Sequence, residues 1–169
     1  HGAGSALLSG GWFTYDAAGN PQWVTLQGNL AASHGPTYFL AIGANVGGNF
    51  NAPPITHAMQ AGTASLTFNN CTGADLTYQF NDGRMGSIAL VRLTPATACS
   101  NAVPAVSPTA SPPNYADVLH SGNWYDPATS GQGLLVDIVP SITPFFAACY
   151  TYPPVSEALG RFNQRWFTL

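Results

Sequence analysis

Short runs of β-branched, aromatic and aliphatic residues recur along this chain, and clusters of Gly, Asn, Asp and Pro separate them. A period near 3.6 residues, which would mark an amphipathic helix, is absent, whereas alternation suited to half-buried strands is common. The pattern therefore predicts an all-β protein. We expect strands near residues 5–15, 21–30, 36–43, 63–69, 75–80, 86–93, 121–125, 132–139, 144–152 and 163–169.

Three of the separating clusters have the sequences of tight turns. They are Ala18–Pro21, Asn70–Gly73 and Asn81–Gly83. Asn, Asp and Gly tolerate turn backbones, and Asn and Asp side chains also bond to nearby peptide groups. Because tight turns join strands that lie side by side, the sequence predicts an antiparallel meander. Residues 100–118 are rich in Pro, Ser and Ala and show no strand pattern, so we expect a linker there.

The two ends of the chain carry the same predicted hairpin. Trp12–Tyr15 is followed by a turn and Gln22–Leu26, and Cys149–Tyr152 is followed by a longer turn and Arg165–Leu169. The identical matched positions are Thr14 and Thr151, Tyr15 and Tyr152, Trp23 and Trp166, Thr25 and Thr168, and Leu26 and Leu169. A repeated unit is therefore expected, and both ends of the chain interrupt it midway.

These segments resemble a repeat of uncharacterised secreted bacterial proteins. Its first half is matched by Gly122–Pro127, Ser130–Leu134 and Phe145–Tyr152, and its second half by Ala6–Cys99. The motifs of the second half are Gly47–Phe50, Leu66–Cys71 and Ser87–Thr94. In that family the position of Cys149 is usually Trp, as at Trp12. The resemblance implies a β fold and secretion, and it implies no established activity.

A complete unit would hold about eight strands, enough for a small closed barrel or a sandwich of two sheets. The resemblance implies a permuted order, with the second half of the unit in residues 1–99 and its first half in residues 119–169. One terminal hairpin is then surplus to such a unit. The C-terminal strands in residues 119–169 are then expected to complete either their own β-domain or that of a neighbouring copy.

Charge is scarce, because charged residues make up 7% of the chain, Lys is absent and the formal net charge is −3. Nucleic acid is excluded as a partner on this basis, since phosphate binding needs clustered positive charge. Every apolar run is interrupted well before the roughly 18 to 20 residues of a membrane helix, so insertion into a membrane is not expected. Aromatic residues at 12% favour a folded chain. No cofactor is predicted.

Three cysteines occur, at Cys71, Cys99 and Cys149, without a zinc-type spacing. We therefore expect a disulfide between Cys71 and Cys99, which indicates an oxidising compartment and a secreted or cell-surface location. For Cys149 two interpretations stay open. It is either a buried free thiol or a group that forms an intermolecular bridge or reacts.

Catalytic chemistry has little support in the sequence. His1 and Gly2 resemble the copper-binding terminus of lytic polysaccharide monooxygenases, with His34, His57 or His120 as a second imidazole. However, the residues after His1 look like the middle of a repeat, which favours a cut over a ligand. No G-x-S-x-G elbow is present and Glu157 is the only Glu, so neither catalytic nor metal-binding residues are predicted.

The leading hypothesis is a non-enzymatic extracellular structural module that associates with copies of itself. A half unit at each end would leave open sheet edges, which recruit other strands when charge does not protect them. Strand exchange of this kind need not close and would then build a filament or surface layer. The candidate self-association residues are Phe145, Phe146, Tyr150, Tyr152, Trp166 and Phe167.

A second hypothesis is a monomeric carbohydrate-binding module whose exposed aromatic rings stack on sugars. The candidate rings are Trp12, Trp23, Trp124 and Tyr125. Burial of these rings in a core or subunit contact is the simpler alternative. A third and weaker hypothesis is a copper-dependent polysaccharide monooxygenase acting through His1.

Overall fold

The computed structural model describes residues 7–30, 36–50, 56–93, 120–129, 131–138, 146–154, 156–157 and 163–169. These residues form ten β-strands, and a short 3-10 helix covers Pro127–Thr129. Every strand pairs with its neighbour in antiparallel fashion. The predicted all-β antiparallel meander is confirmed.

The first six strands form one sheet, called sheet A, in which chain order and spatial order are the same. Its strands are β1 (Leu7–Tyr15), β2 (Pro21–Asn29), β3 (Thr37–Val46), β4 (His57–Phe68), β5 (Gly73–Phe80) and β6 (Met85–Val91). Sheet A curls into a half-barrel. In the described part of the chain β1 and β6 are its edges and are not joined to each other.

The last four strands form a second sheet, called sheet B. They are β7 (Gly122–Trp124), β8 (Gly133–Asp137), β9 (Phe146–Thr151) and β10 (Arg165–Thr168), in the spatial order β10-β9-β8-β7. Between the described strands of the two sheets there is no ladder pairing. Sheet B therefore meets sheet A through side chains and turns, and the architecture is a half-barrel with a second sheet beside it.

The ten predicted strands all exist, but β4 begins at His57 rather than near residue 63. Its early residues pair with the end of β3 across an irregularity at Ile42 and Gly43, where Ile42 faces Gly62 and Gly43 faces Gln60. Ala61 is thus the extra residue of a bulge. Ala and Gln are weak strand formers, so pairing with β3 extends this strand where local preference does not.

Alternate residues of β2 to β5 line the inside of the half-barrel. The buried set is Val24, Leu40, Ile42, Ala44, Ala61, Ala64, Leu76 and Phe80. Trp12 of β1 packs on this cluster, with its ring centroid 4.9 Å from that of Tyr78 and 5.6 Å from that of Phe80. Period-2 alternation in the sequence therefore becomes one apolar face that sheet A wraps around.

Side-chain carboxylates and amides shape the turns that the sequence indicates. Asp16 Oδ1 accepts hydrogen bonds from the backbone N–H groups of Ala18 and Asn20, both at 2.9 Å, and Gly19 adopts a φ of 83°. The Asn20 side-chain amide also donates to the Asp16 carboxylate, and this bond, followed by the backbone bonds, lowers the pKa of Asp16. Asn70 Oδ1 accepts in the same way from the N–H of Thr72 at 2.8 Å.

Three predicted features lie outside the described residues: the linker at 100–118, Cys99 and His1. The predicted bridge of Cys71 to Cys99 therefore stays a prediction, as do the domain boundaries. Among the helices that the structure describes, none is long and apolar enough to cross a membrane.

Candidate functional site: the contact between two equivalent hairpins

The duplicated sequence forms the same hairpin twice. Hairpin 1 consists of β1 and β2, and hairpin 2 consists of β9 and β10. Phe13 faces Trp23 in hairpin 1, and the matched Tyr150 faces Trp166 in hairpin 2. Because the cross-strand register is identical, equivalent residues point to equivalent faces of the two hairpins.

The two hairpins bind each other through reciprocal hydrogen bonds. Trp23 Nε1 donates to the carbonyl of Thr151 at 3.2 Å, and Trp166 Nε1 donates to the carbonyl of Thr14 at 3.1 Å. Trp23 and Trp166 are equivalent in the repeat, and so are Thr14 and Thr151. Each hairpin thus gives the other the contact that it receives, which is the pattern of a local twofold axis.

Ring contacts follow the same reciprocity. Each indole lies near two aromatic rings of the opposite hairpin, and those two rings are equivalent positions in the repeat. The centroid distances are 5.0 Å for Trp23 and Tyr150, 5.9 Å for Trp23 and Tyr152, 6.0 Å for Trp166 and Phe13, and 5.7 Å for Trp166 and Tyr15. Tilted and edge-on pairs at such distances stabilise beyond the area that they bury.

Burial distinguishes the two halves of this contact. Trp23 is only 2% exposed and Tyr152 is buried, whereas Trp166 is partly exposed and Tyr15 is exposed. The half around Trp23 is enclosed by further groups from both sheets. The half of the contact around Trp23 is therefore buried, and the half around Trp166 is more open to solvent.

Gln164 closes the enclosed half. Its side chain is fully buried; its Oε1 accepts from the Trp23 backbone N–H at 3.1 Å, and its Nε2 donates to the Asn45 carbonyl at 3.2 Å. Through one amide, the residue before β10 thus satisfies peptide groups on β2 and β3. In the repeat, Gln164 takes the place of Pro21, so the duplicated sequence contained no signal for this role.

The Tyr152 side chain packs closely against the backbone of two glycines. A Cβ atom at Gly48 would overlap the Tyr152 ring, and one at Gly131 would press on its hydroxyl. The next residue, Pro153, accepts a backbone hydrogen bond from Phe50 at 3.2 Å. Burial raises the pKa of Tyr152, and its hydroxyl has no hydrogen-bond partner among the described residues.

The opposite face of hairpin 2 carries an apolar row. Trp124, Leu134, Cys149 and Phe167 lie directly opposite one another across β7, β8, β9 and β10. Trp124 and Phe167 are about half exposed, at 52% and 50%. The Trp124 indole is fixed by a hydrogen bond to the His120 carbonyl at 2.9 Å. We call these four residues the outer row.

Cys149 is a free, partly exposed thiol in the middle of the outer row. Desolvation raises the pKa of this thiol. A raised pKa keeps the sulfur protonated at neutral pH, so little of it is the nucleophilic thiolate. Both interpretations of Cys149 stay predictions.

The predicted self-association residues divide between the two faces of sheet B. Tyr150, Tyr152 and Trp166 lie in the hairpin contact, Phe167 lies in the outer row, and Phe146 is a partly buried residue at the start of β9. Phe145 lies outside the described residues.

Two of the four rings predicted to stack on sugars pack against other parts of the protein, Trp12 partly buried and Trp23 buried. Trp12 lies inside the half-barrel and Trp23 lies between the hairpins, because the alternation of β1 and β2 directs both rings into contacts. Trp124 and Tyr125 are exposed. Of the predicted copper ligands, His1 and His34 lie outside the described residues, within which no group of three potential metal-binding side chains occurs.

Comparison of the chain with protein-family models found no match. Comparisons with curated proteins and with solved structures found none either. The contact between the hairpins is therefore interpreted from its own geometry.

Proposed function

We propose that this protein is a non-enzymatic extracellular structural module that associates with other copies of itself by exchanging its two sheets. The observation that carries the proposal is the reciprocal contact between hairpin 1 and hairpin 2. One chain holds two copies of an element that binds its own kind, so every copy brings both partners of the contact.

Exchange requires no new chemistry. The bonds from Trp23 to Thr151 and from Trp166 to Thr14 form equally well when the two hairpins belong to different chains. The sheets are connected through residues 94–119, which include the proline-rich predicted linker. Such a linker holds the attached sheet at an effective concentration on the order of millimolar, so comparable protein concentrations favour exchange. Exchange that closes gives a dimer, and exchange that does not close gives a filament or layer.

The surface offers little resistance to such assembly. Charged residues are 7% of the chain, so repulsion between like copies is weak. The described edges at β1, β6, β7 and β10 are unprotected by Lys, which the chain lacks altogether. Secretion is proposed on the predicted Cys71 to Cys99 bridge, which would persist only in an oxidising compartment.

Exchange is tested by mixing two differently tagged preparations at millimolar concentration, diluting the mixture and capturing it through one tag. Size-exclusion chromatography with light scattering then gives the mass of the captured particles. We expect mixed oligomers that fall apart slowly, because release requires breaking the whole hairpin contact. The Trp166→Ala variant should lose these oligomers, since it removes one indole and its bond to Thr14.

Trp124→Ala is the matched control, because it removes an exposed indole from the same sheet but from the opposite face. It should leave the mixed oligomers unchanged. A strictly monomeric particle at millimolar concentration, or equal loss of oligomers in both variants, would refute the exchange.

A carbohydrate-binding module is the second candidate, and the exposure of Trp124 at 52% and Tyr125 at 65% favours it. A fixed, flat indole in a surface with few charges suits stacking on a sugar ring. A glycan array should then show binding that Trp124→Ala abolishes and Trp166→Ala retains. Absence of binding to every glycan tested would remove this candidate.

A further inference from the structure

A crevice of about 170 Å³ lies between the two sheets, beside the contact of Trp23 with Tyr150. Three cross-strand pairs on one face of hairpin 1 form its first wall: Ser9 with Gln27, Gly11 with Thr25, and Phe13 with Trp23. Sheet B provides the second wall through Asn123 of β7 and Tyr150 of β9. Side chains from both sheets therefore line one space.

Small residues on β1 leave this space open. In the repeat, Ser9 and Gly11 of hairpin 1 are equivalent to Phe146 and Ala148 of hairpin 2. The Phe13 ring lies close to Gly11, with its nearest atom 3.3 Å from where a Cβ atom of that residue would stand. At the two positions that line the crevice, hairpin 1 thus lacks the phenyl ring and the methyl group that hairpin 2 carries.

The neutral polar side chains of the crevice are available to a ligand. Within the described residues, the side chains of Ser9, Gln27 and Asn123 form no hydrogen bond, and all three residues are exposed. The Thr25 hydroxyl donates to the Gly43 carbonyl at 3.4 Å and keeps its capacity to accept. Hydroxyl and amide groups that can both donate and accept therefore surround the opening.

Size and charge narrow the class of ligand. An apolar cavity of about 150 Å³ holds benzene, so this crevice has room for one six-membered ring. None of the described residues that line it is charged. A charged group placed inside would lose hydration without gaining a partner of opposite sign. Phe13 and Trp23 make one end apolar, so the lining suits a ring with apolar faces and neutral hydroxyl groups around its rim.

We propose that the crevice is a binding site for one uncharged sugar ring, a pyranose, which contacts both sheets at once. Its hydroxyl groups bond to the amides of Gln27 and Asn123 and to the Thr25 oxygen, and its C–H groups pack against Phe13. The rest of a glycan leaves through the exposed side beside Ser9.

This site is separate from both candidate functions. One chain supplies every lining residue, so a monomer binds the sugar even when no exchange between copies takes place. Trp124, the stacking platform of the second candidate, lies one position from Asn123 in β7 and therefore on the opposite face of sheet B.

NMR titration of the isotope-labelled full chain at micromolar concentration tests the site. The probes are the methyl glycosides of glucose, galactose, mannose and xylose, added one at a time. At least one should shift the signals of the Gly11 backbone amide and of the Gln27 and Asn123 side-chain amides. The shifts should saturate with a dissociation constant on the order of 1 mM, because a ligand with so few atoms binds weakly. Cyclohexanol, which keeps the ring but only one hydroxyl group, should bind about tenfold more weakly or less.

Gln27→Met and Gln79→Met form a matched pair. Both replace an exposed glutamine of sheet A, but Gln79 lies on β5, outside the crevice. Gln27→Met should weaken binding of the responding glycoside by about fivefold or more, since it removes a hydrogen bond, and Gln79→Met should leave binding unchanged. Asn123→Leu should weaken binding by a similar factor, because it changes the wall that sheet B provides. Unchanged amide shifts in β3 and β4 of the free variants show that the fold is kept.

Absence of saturable shifts with every glycoside overturns the site, and so does equal binding to the two glutamine variants or equal affinity for cyclohexanol. Loss of sugar binding in Trp124→Ala also overturns it, in favour of stacking on the exposed indole. Binding that persists in Trp124→Ala and falls in both Gln27→Met and Asn123→Leu supports a sugar ring held between the sheets.

Discussion

Gln164 illustrates how one side chain joins the two sheets. Its amide is buried, and both ends of it are used, by the Trp23 N–H and the Asn45 carbonyl. A buried peptide group that loses its partner costs much more than an average hydrogen bond contributes, because water cannot replace the lost bond.

We predict that Gln164→Met, which preserves the length of the side chain, lowers the free energy of unfolding by about 1 to 3 kcal/mol. The cause is the unpaired Trp23 N–H in a buried position. Urea unfolding followed by tryptophan fluorescence measures the change. Gln27→Met at an exposed position of β2 is the control, expected within about 0.5 kcal/mol of the parent chain. Equal effects of the two substitutions would contradict the bridging role.

Alternation along β1 leaves open which of its two faces belongs to the core. The pattern around Trp12 correctly separates it from Phe13 on the two faces of β1, yet it does not say which face is the core. In the structure Trp12 faces the half-barrel and Phe13 faces Trp166. Both faces of hairpin 1 are therefore used, one for the core and one for the other sheet.

Elements differ in how firmly they are held. β3 and β4 each pair on both sides and contribute buried residues to the half-barrel, whereas β7 has only three residues, all exposed, and one described partner. Opening of a strand costs more when more pairing and burial must be lost. The stability of sheet B consequently depends more on its contact with hairpin 1 than sheet A depends on sheet B.

Hydrogen exchange should reveal this order. We expect amides of β3 and β4 to exchange only with global unfolding, and amides of β7 to exchange several orders of magnitude faster. Trp166→Ala should accelerate exchange in β9 and β10 and leave exchange in β3 and β4 unchanged. Trp124→Ala should leave exchange unchanged in all four strands. Uniform acceleration throughout the chain in Trp166→Ala would contradict the separate stability of the sheets.

In the described part of the chain the two sheets are joined by side chains and turns. These contacts include the ring pairs between the hairpins, the reciprocal indole bonds, the Gln164 bridge and the bond from Phe50 to Pro153. None of them is a strand pairing, so the sheets can separate without breaking either ladder. Such a contact suits exchange between copies, because the separated sheets keep their own hydrogen bonds.

The amino-acid sequence by itself determined the class of fold, the number of strands and the duplicated hairpin. These features depend on period-2 alternation, turn residues and self-similarity, all of which act over a few neighbouring residues. Only the tertiary structure decided that the two hairpins bind each other, that Trp23 is buried while Trp124 is exposed, and that Gln164 bridges β2 and β3. The physical reason is distance along the chain: Trp23 and Thr151 are 128 positions apart. Local preference does not choose between partners so far away; packing does.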